Sequence, residues 1–82
     1  MIVSVRYFAG AAAAAGVPEE KVDVPSGTTV AALCDDLAGR HPQLAPVLEV
    51  ASVLVDEVTA RDRGAVVPDG AAVDVLPPFA GG

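Results

Sequence analysis

Few residues of this chain could do chemistry, and they do not converge. Cys34 is the one thiol, His41 the one imidazole, and the paired carboxylates are sequence neighbours, Glu19-Glu20 and Asp35-Asp36. A reactive cysteine needs a base or cation beside it, and Cys34 has no base nearby in sequence. His41 has no second His, Cys or carboxylate at ligand spacing, so a metal site is not expected. Adjacent carboxylates point apart on either a helix or a strand and cannot share a proton. No Walker loop, serine elbow or metal motif occurs. What remains is the chain end, Leu76-Pro77-Pro78-Phe79-Ala80-Gly81-Gly82.

Gly-Gly contributes nothing to a fold, because glycine loses the most backbone entropy on ordering and packs no side chain. At an end it serves another purpose. Gly81 and Gly82 can enter a channel too narrow for any other residue, carrying a terminal carboxylate with them. Extended, residues 77–82 span at most about 20 Å, enough to reach into a neighbouring protein. Ordering such a tail costs roughly 1–2 kcal/mol per residue. Pro77 and Pro78 reduce that cost by pre-setting φ and removing donors that would need partners. Phe79 offsets more of it by burying its ring in the partner, worth roughly 1.5–3 kcal/mol if complete. A free carboxylate is a poor electrophile.

The rest of the sequence reads as the holder of that tail. Eighty-two residues make one domain, with sixteen Ala and fifteen Val against two Phe, one Tyr and no Trp. That composition allows a modest core but no deep cleft of its own. A net charge of −6 argues against nucleic acid and anionic membranes and suits a basic partner surface. A lone cysteine implies no oxidising compartment. The N-terminus lacks the charged and apolar regions of a leader, and no apolar run approaches a membrane span, so the cytoplasm is the expected location.

Residues 2–9 alternate, with Val3, Val5 and Tyr7 on one face and Ser4, Arg6 and Phe8 on the other, which predicts a strand. The alanine run 10–16 predicts a helical turn or loop, too short to be a helix alone. A second strand covers 20–24, with Val22 and Val24 inward. From Thr29 to Arg40, Val30, Leu33, Cys34, Leu37 and Ala38 form one apolar helical stripe. Ser26 or Thr28 is expected to cap it, Gly39 and Pro42 to end it, and Asp35 and Asp36 to face water. A short helical turn at 46–50, a strand at 52–56, weak pieces at 58–60 and 64–67, a Pro-Asp-Gly turn and a last strand at 71–76 follow. One helix must then cover one face of a mixed sheet of four to five strands. The reading is an α+β domain over 1–76 and a functional tail over 77–82.

Together, Val5-Arg6-Tyr7-Phe8-Ala9, the capping stretch Pro25 to Leu33, the turn at 68–70 and the ending Val75-Leu76-Pro77-Pro78-Phe79-Ala80-Gly81-Gly82 resemble the ubiquitin-like β-grasp sulfur carriers of the MoaD/ThiS family. The resemblance covers essentially the whole chain. The Pro-Pro pair and the length favour the branch of molybdopterin synthase small subunits over the shorter thiamine carriers. Two departures stand out. The family's Asn-Gly turn after the third strand is Asp56-Glu57 here, and the usually charged loop after the first strand is Ala11 to Ala15.

The resemblance implies a mechanism. An adenylating enzyme of the ubiquitin-activating type (MoeB-like) uses ATP to adenylate Gly82, and a sulfur donor protein displaces AMP to leave a thiocarboxylate. The sulfur then passes to cyclic pyranopterin monophosphate in the large synthase subunit (MoaE-like), with no permanently bound cofactor on this chain. Gly82 is the reacting residue, and Pro77, Pro78, Phe79, Ala80 and Gly81 thread it into the partner. The chain is not expected to catalyse alone.

The strand faces place Phe8, Leu54 and Leu76 on the side of the sheet away from the helix, as a docking patch, with Arg6 and Asp74 able to pair beside them. Cys34 reads as a core thiol and His41 as a helix C-terminal group. Arg61 and Arg63 have no role that the sequence decides. Two other functions remain open: a carrier feeding thiamine or cysteine biosynthesis, and a protein modifier conjugated through Gly82.

Overall fold

The computed structural model describes residues 1–78; Phe79, Ala80, Gly81 and Gly82 lie outside the described residues. The chain runs β1 (Ile2–Tyr7), α1 (Gly10–Ala15), β2 (Glu19–Asp23), α2 (Val30–Arg40), a 3₁₀ turn (Pro42–Leu44), α3 (Ala45–Val50), β3 (Ser52–Val55), β4 (Val58–Thr59) and β5 (Ala72–Leu76). The sheet order is β2-β1-β5-β3-β4. Its two central strands, β1 and β5, are parallel, and every other pairing is antiparallel. The helices cover one face, the arrangement of a β-grasp.

Period-two alternation explains why β1 belongs at the centre. Val3, Val5 and Tyr7 are buried, and Val22, Val53, Val73 and Val75 join them from the other strands. The stripe of α2, Val30, Leu33, Cys34 and Leu37, packs on top, with Leu44 and Leu48 closing the side. A core of valine and leucine with one aromatic ring is what this composition permits.

Packing decides the alanine run. Residues 10–15 form a helix whose Ala11 and Ala15, one turn apart, are buried in the core. Gly16 ends it in the left-handed region at φ 80° and donates its N–H to the Ala12 carbonyl. Tertiary burial supplies the stability that so short a helix lacks by itself.

Two expectations about α2 are corrected. Its cap is Thr29, whose Oγ1 accepts from the Ala32 N–H at 3.1 Å; Thr28 instead donates to the Pro25 carbonyl at 2.6 Å. The helix also passes through Gly39 to Arg40, and the His41 N–H closes it on the Leu37 carbonyl. Asp36 is half-buried and pairs with Arg40 one turn on, at 2.6 Å. The weak piece at 64–67, with Arg63 before it, has a definite task. The carbonyls of Ala65 and Arg63 accept from Val30 and Ala31, two donors a helix start leaves unmatched.

The Asp56-Glu57 turn keeps a tight hairpin geometry without glycine. Asp56 (φ 48°) and Glu57 (φ 70°) both occupy the left-handed region. Asp56 compensates by bonding β5: its N–H donates to the Ala72 carbonyl at 2.8 Å, and its Oδ1 accepts from the Ala72 N–H at 2.9 Å.

Candidate functional site

Parallel pairing of β1 with β5 brings the ends of both strands to the same edge of the molecule. Arg6 stands opposite Asp74 and Tyr7 opposite Val75, and the Phe8 N–H donates to the Val75 carbonyl at 3.1 Å. On the other side of β5, Ser52 lies opposite Leu76 and Leu54 opposite Asp74. Side chains alternate along each strand, so Phe8, Leu76 and Leu54 share the face away from the helices. They line an open apolar groove of about 690 Å³ together with Ala9, Thr59, Pro77 and Pro78. Phe8 is 39% exposed although it is a large apolar ring. Pro77 is half-buried and Pro78 exposed, so the chain leaves the sheet along this groove.

Two local devices hold the groove. Arg6 forks Asp74 through Nε at 2.8 Å and Nη2 at 2.9 Å, and its guanidinium lies 5.5 Å from the Phe8 ring centroid. Donating hydrogen bonds to Asp74 holds the Arg6 guanidinium above its ordinary pKa, and the carboxylate's charge adds to it. After Phe8 the chain turns sharply at Ala9, at φ 50° and ψ −125°. Glycine favours that conformation, and a residue with a Cβ pays of order 1–3 kcal/mol to adopt it. The turn closes with Ala11 N–H on the Phe8 carbonyl at 2.9 Å, so Phe8 is displayed at the mouth of a strained turn.

The other candidates of the sequence reading lie elsewhere. Cys34 is buried on the helix stripe, and burial pushes its thiol pKa up, away from reactivity. Arg63 explains itself: its guanidinium donates to the carbonyls of Leu48 at 3.0 Å and Ala51 at 2.9 Å, capping the end of α3. Arg61 is exposed. His41 does close a helix through its backbone, but its ring is engaged differently from the expectation. Its Nε2 lies 2.6 Å from Glu20 Oε2, and the Tyr7 hydroxyl donates to the same oxygen at 2.6 Å. Glu20 is therefore no solvated carboxylate. Burial pushes its pKa up, but hydrogen bonds from Tyr7 and His41 outweigh that and hold it below the ordinary glutamate value. Burial, with Glu20 adjoining, pushes the Tyr7 phenol well above its usual range. Among the described residues no cluster of His, Cys, Asp or Glu could hold a metal ion. None of the helices described is long and apolar enough to cross a membrane.

Sequence reasoning placed Phe8, Leu54 and Leu76 on one face, and the structure brings them together. It missed Ala9 and Thr59 as groove walls, because their places depend on strand order and on a turn with no glycine at its first corner. Its assignments to Phe79, Ala80, Gly81 and Gly82 fall outside the described residues.

Residues 5–82 match the ThiS family. No curated protein sequence matches the chain. Among solved structures, SAMP1 from Haloferax volcanii is similar over 100% of both chains, with 29% identity and a TM-score of 0.88. The Pyrococcus furiosus protein assigned as molybdopterin converting factor, subunit 1, is similar over 96% of this chain and 99% of its own, with 26% identity and a TM-score of 0.86. A chain in the complex of subunits 1 and 2 of the Helicobacter pylori molybdopterin-converting factor shares the fold, with 20% identity, full coverage of both chains and a TM-score of 0.71.

Proposed function

The chain belongs to the ThiS family of ubiquitin-like sulfur carriers, and from that membership we propose that it is the sulfur-donating small subunit of a molybdopterin synthase, acting through Gly82. The observation that carries the reading is whole-length similarity to a molybdopterin converting factor subunit 1, joined to a tail that leaves β5 beside an open apolar groove.

In this reading the chain supplies a carrier and a docking face, and other proteins supply catalysis. The Gly82 carboxylate attacks the α-phosphate of ATP on an adenylating enzyme, and pyrophosphate leaves. Hydrosulfide supplied by a donor then attacks the acyl carbon, the carbon–oxygen bond breaks, AMP leaves with the electron pair, and a thiocarboxylate remains. On the large subunit the sulfur passes to the pterin precursor and a water oxygen restores the carboxylate. Phe8, Leu54 and Leu76 dock the partner, and Pro77, Pro78, Phe79, Ala80 and Gly81 thread the reacting end into it.

The test is reconstitution. Chain carrying the Gly82 thiocarboxylate, mixed with a molybdopterin synthase large subunit and cyclic pyranopterin monophosphate, yields dithiolene product at one chain per sulfur transferred. Failure there, with transfer of sulfur to a thiazole or cysteine precursor instead, would move the carrier to another pathway.

A second reading has its own support. Whole-length similarity to SAMP1, at 29% identity, suits a protein modifier conjugated through the same carboxyl. A ladder of covalent adducts on a denaturing gel distinguishes the two.

A further inference from the structure

After Phe8 the chain carries alanine and glycine in the opposite order from the one its backbone favours. Ala9, at φ 50° and ψ −125°, is the first corner of the turn from Phe8 to Ala11, a corner that glycine dominates. Gly10 follows as the first residue of α1 and has no positive φ. A Cβ added at Gly10 would meet nothing within 4 Å. Gly-Ala in place of Ala-Gly would relax the corner and give the helix a better former. At both positions the fold alone favours the exchange.

Glycine serves a chain where φ is positive, where a side chain would clash, or where another backbone comes close. The first two do not apply to Gly10, and the third fits its place. Ala9 and Gly10 are both exposed, and both line the apolar groove with Phe8, Leu54 and Leu76. The corner is also held on each side. The Phe8 N–H donates to the Val75 carbonyl at 3.1 Å, and the Phe8 carbonyl accepts from the Ala11 N–H at 2.9 Å. The Ala9 carbonyl accepts from Ala12 at 3.1 Å and from Ala13 at 3.3 Å. Strain that the surroundings fix so firmly, at the mouth of a groove, points to use.

We propose that Ala9-Gly10 is a contact point of the docking face, where bare Gly10 lets the main chain of the docked large subunit approach and the Ala9 methyl packs beside it. This deepens the proposed function and rests on the docking role given there to the groove. A side chain at position 10 would hold the subunit off the apolar walls, and loss of the methyl at position 9 would leave a gap in the contact. Gly39 supplies the comparison within the same chain. It is exposed in α2, has no positive φ, and an added Cβ there also meets nothing within 4 Å. It belongs, however, to the helical layer, on the side of the sheet away from the groove.

The experiment measures binding of full-length chain to the molybdopterin synthase large subunit of its own cells by titration calorimetry, beside thermal melting. The variants are Gly10→Ala, Ala9→Gly and Gly39→Ala. All three are expected to melt higher than the unaltered chain, the two alanine variants by roughly 2–8 °C. Binding is expected to separate them. Gly10→Ala weakens it about five- to hundredfold, as for an overfilled contact, and Ala9→Gly about fourfold, as for one buried methyl. Gly39→Ala leaves it unchanged. Unchanged binding by Gly10→Ala, an equal loss with Gly39→Ala, or a loss that follows a lowered melting point would overturn the inference alone. Failure of the unaltered chain to bind the subunit would overturn the proposed function, and this contact with it.

Discussion

Arg6 and Asp74 are paired across the two parallel strands at the centre of the sheet, in a fork with both contacts under 3 Å. Asp74 is 6% exposed and is the one buried charged residue among those described, whereas Arg6 lies open to solvent. The carboxylate therefore depends on Arg6 for compensation, and Arg6 in turn lies against the Phe8 ring. A buried charge is thereby tied to the ring at the groove mouth.

Breaking that pair from one side is predicted to be worse than removing it. Arg6→Ala leaves the Asp74 carboxylate buried without a partner, while Arg6→Ala with Asp74→Leu removes the charge altogether. Urea unfolding should rank the double variant above the single one. Equal losses would mean that the pair is not the element holding these strands.

Phe8→Ala is predicted to leave the fold nearly intact, since the ring is partly exposed, and to weaken binding to a molybdopterin synthase large subunit, the proposed partner. A central aromatic anchor at an interface is typically worth about 2 kcal/mol or more, roughly thirtyfold in Kd. Titration calorimetry beside a melting curve separates the two effects. An unchanged Kd would remove Phe8 from the docking face.

The network at Glu20 predicts an acid limit to stability. Its folded pKa lies below its unfolded value, so the native state binds this proton less tightly than the unfolded chain does. The contribution is complete above the unfolded pKa of about 4.3 and is lost as pH falls through the lower folded value. Glu20→Gln should flatten the stability profile across that acid window, measured by urea midpoints against pH. Tyr7→Phe, which removes one donor to the carboxylate, should cost about 1–2 kcal/mol near neutral pH.

Glu57→Gly is predicted to stabilise the chain. Glu57 sits at φ 70° without an advantage to the fold that its side chain can be seen to supply. Glycine adopts that region freely, and relief of the left-handed penalty, of order 1 kcal/mol, outweighs the added entropy of the unfolded chain. A lower urea midpoint would show that the glutamate side chain stabilises the turn.

Much of this architecture was legible because its signals are local. The alternation of Val3, Val5 and Tyr7 and the stripe from Val30 to Leu37 each state a period that only one kind of element satisfies. The patch follows from the same alternation, and the parallel pairing of β1 with β5 brings Phe8 and Leu76 together. What escaped depended on distant partners. Ala11 and Ala15 become helical because a core accepts them, and residues 63–67 matter because a helix start needs acceptors. Glu20 looked like an exposed carboxylate until Tyr7 and His41, 13 and 21 positions away, came within hydrogen-bonding reach. Arg63 likewise finds the end of α3 only in three dimensions.

The account turns on the chemical state of Gly82. Intact mass of the protein taken from its own cells, with the C-terminal peptide fragmented, reads that state directly. The prediction is a fraction in which one oxygen is replaced by sulfur, localised to Gly82 and growing when an activating enzyme, ATP and a sulfur source are supplied. A terminus that stays a plain carboxylate under those conditions, or a chain that continues beyond Gly82, would contradict it.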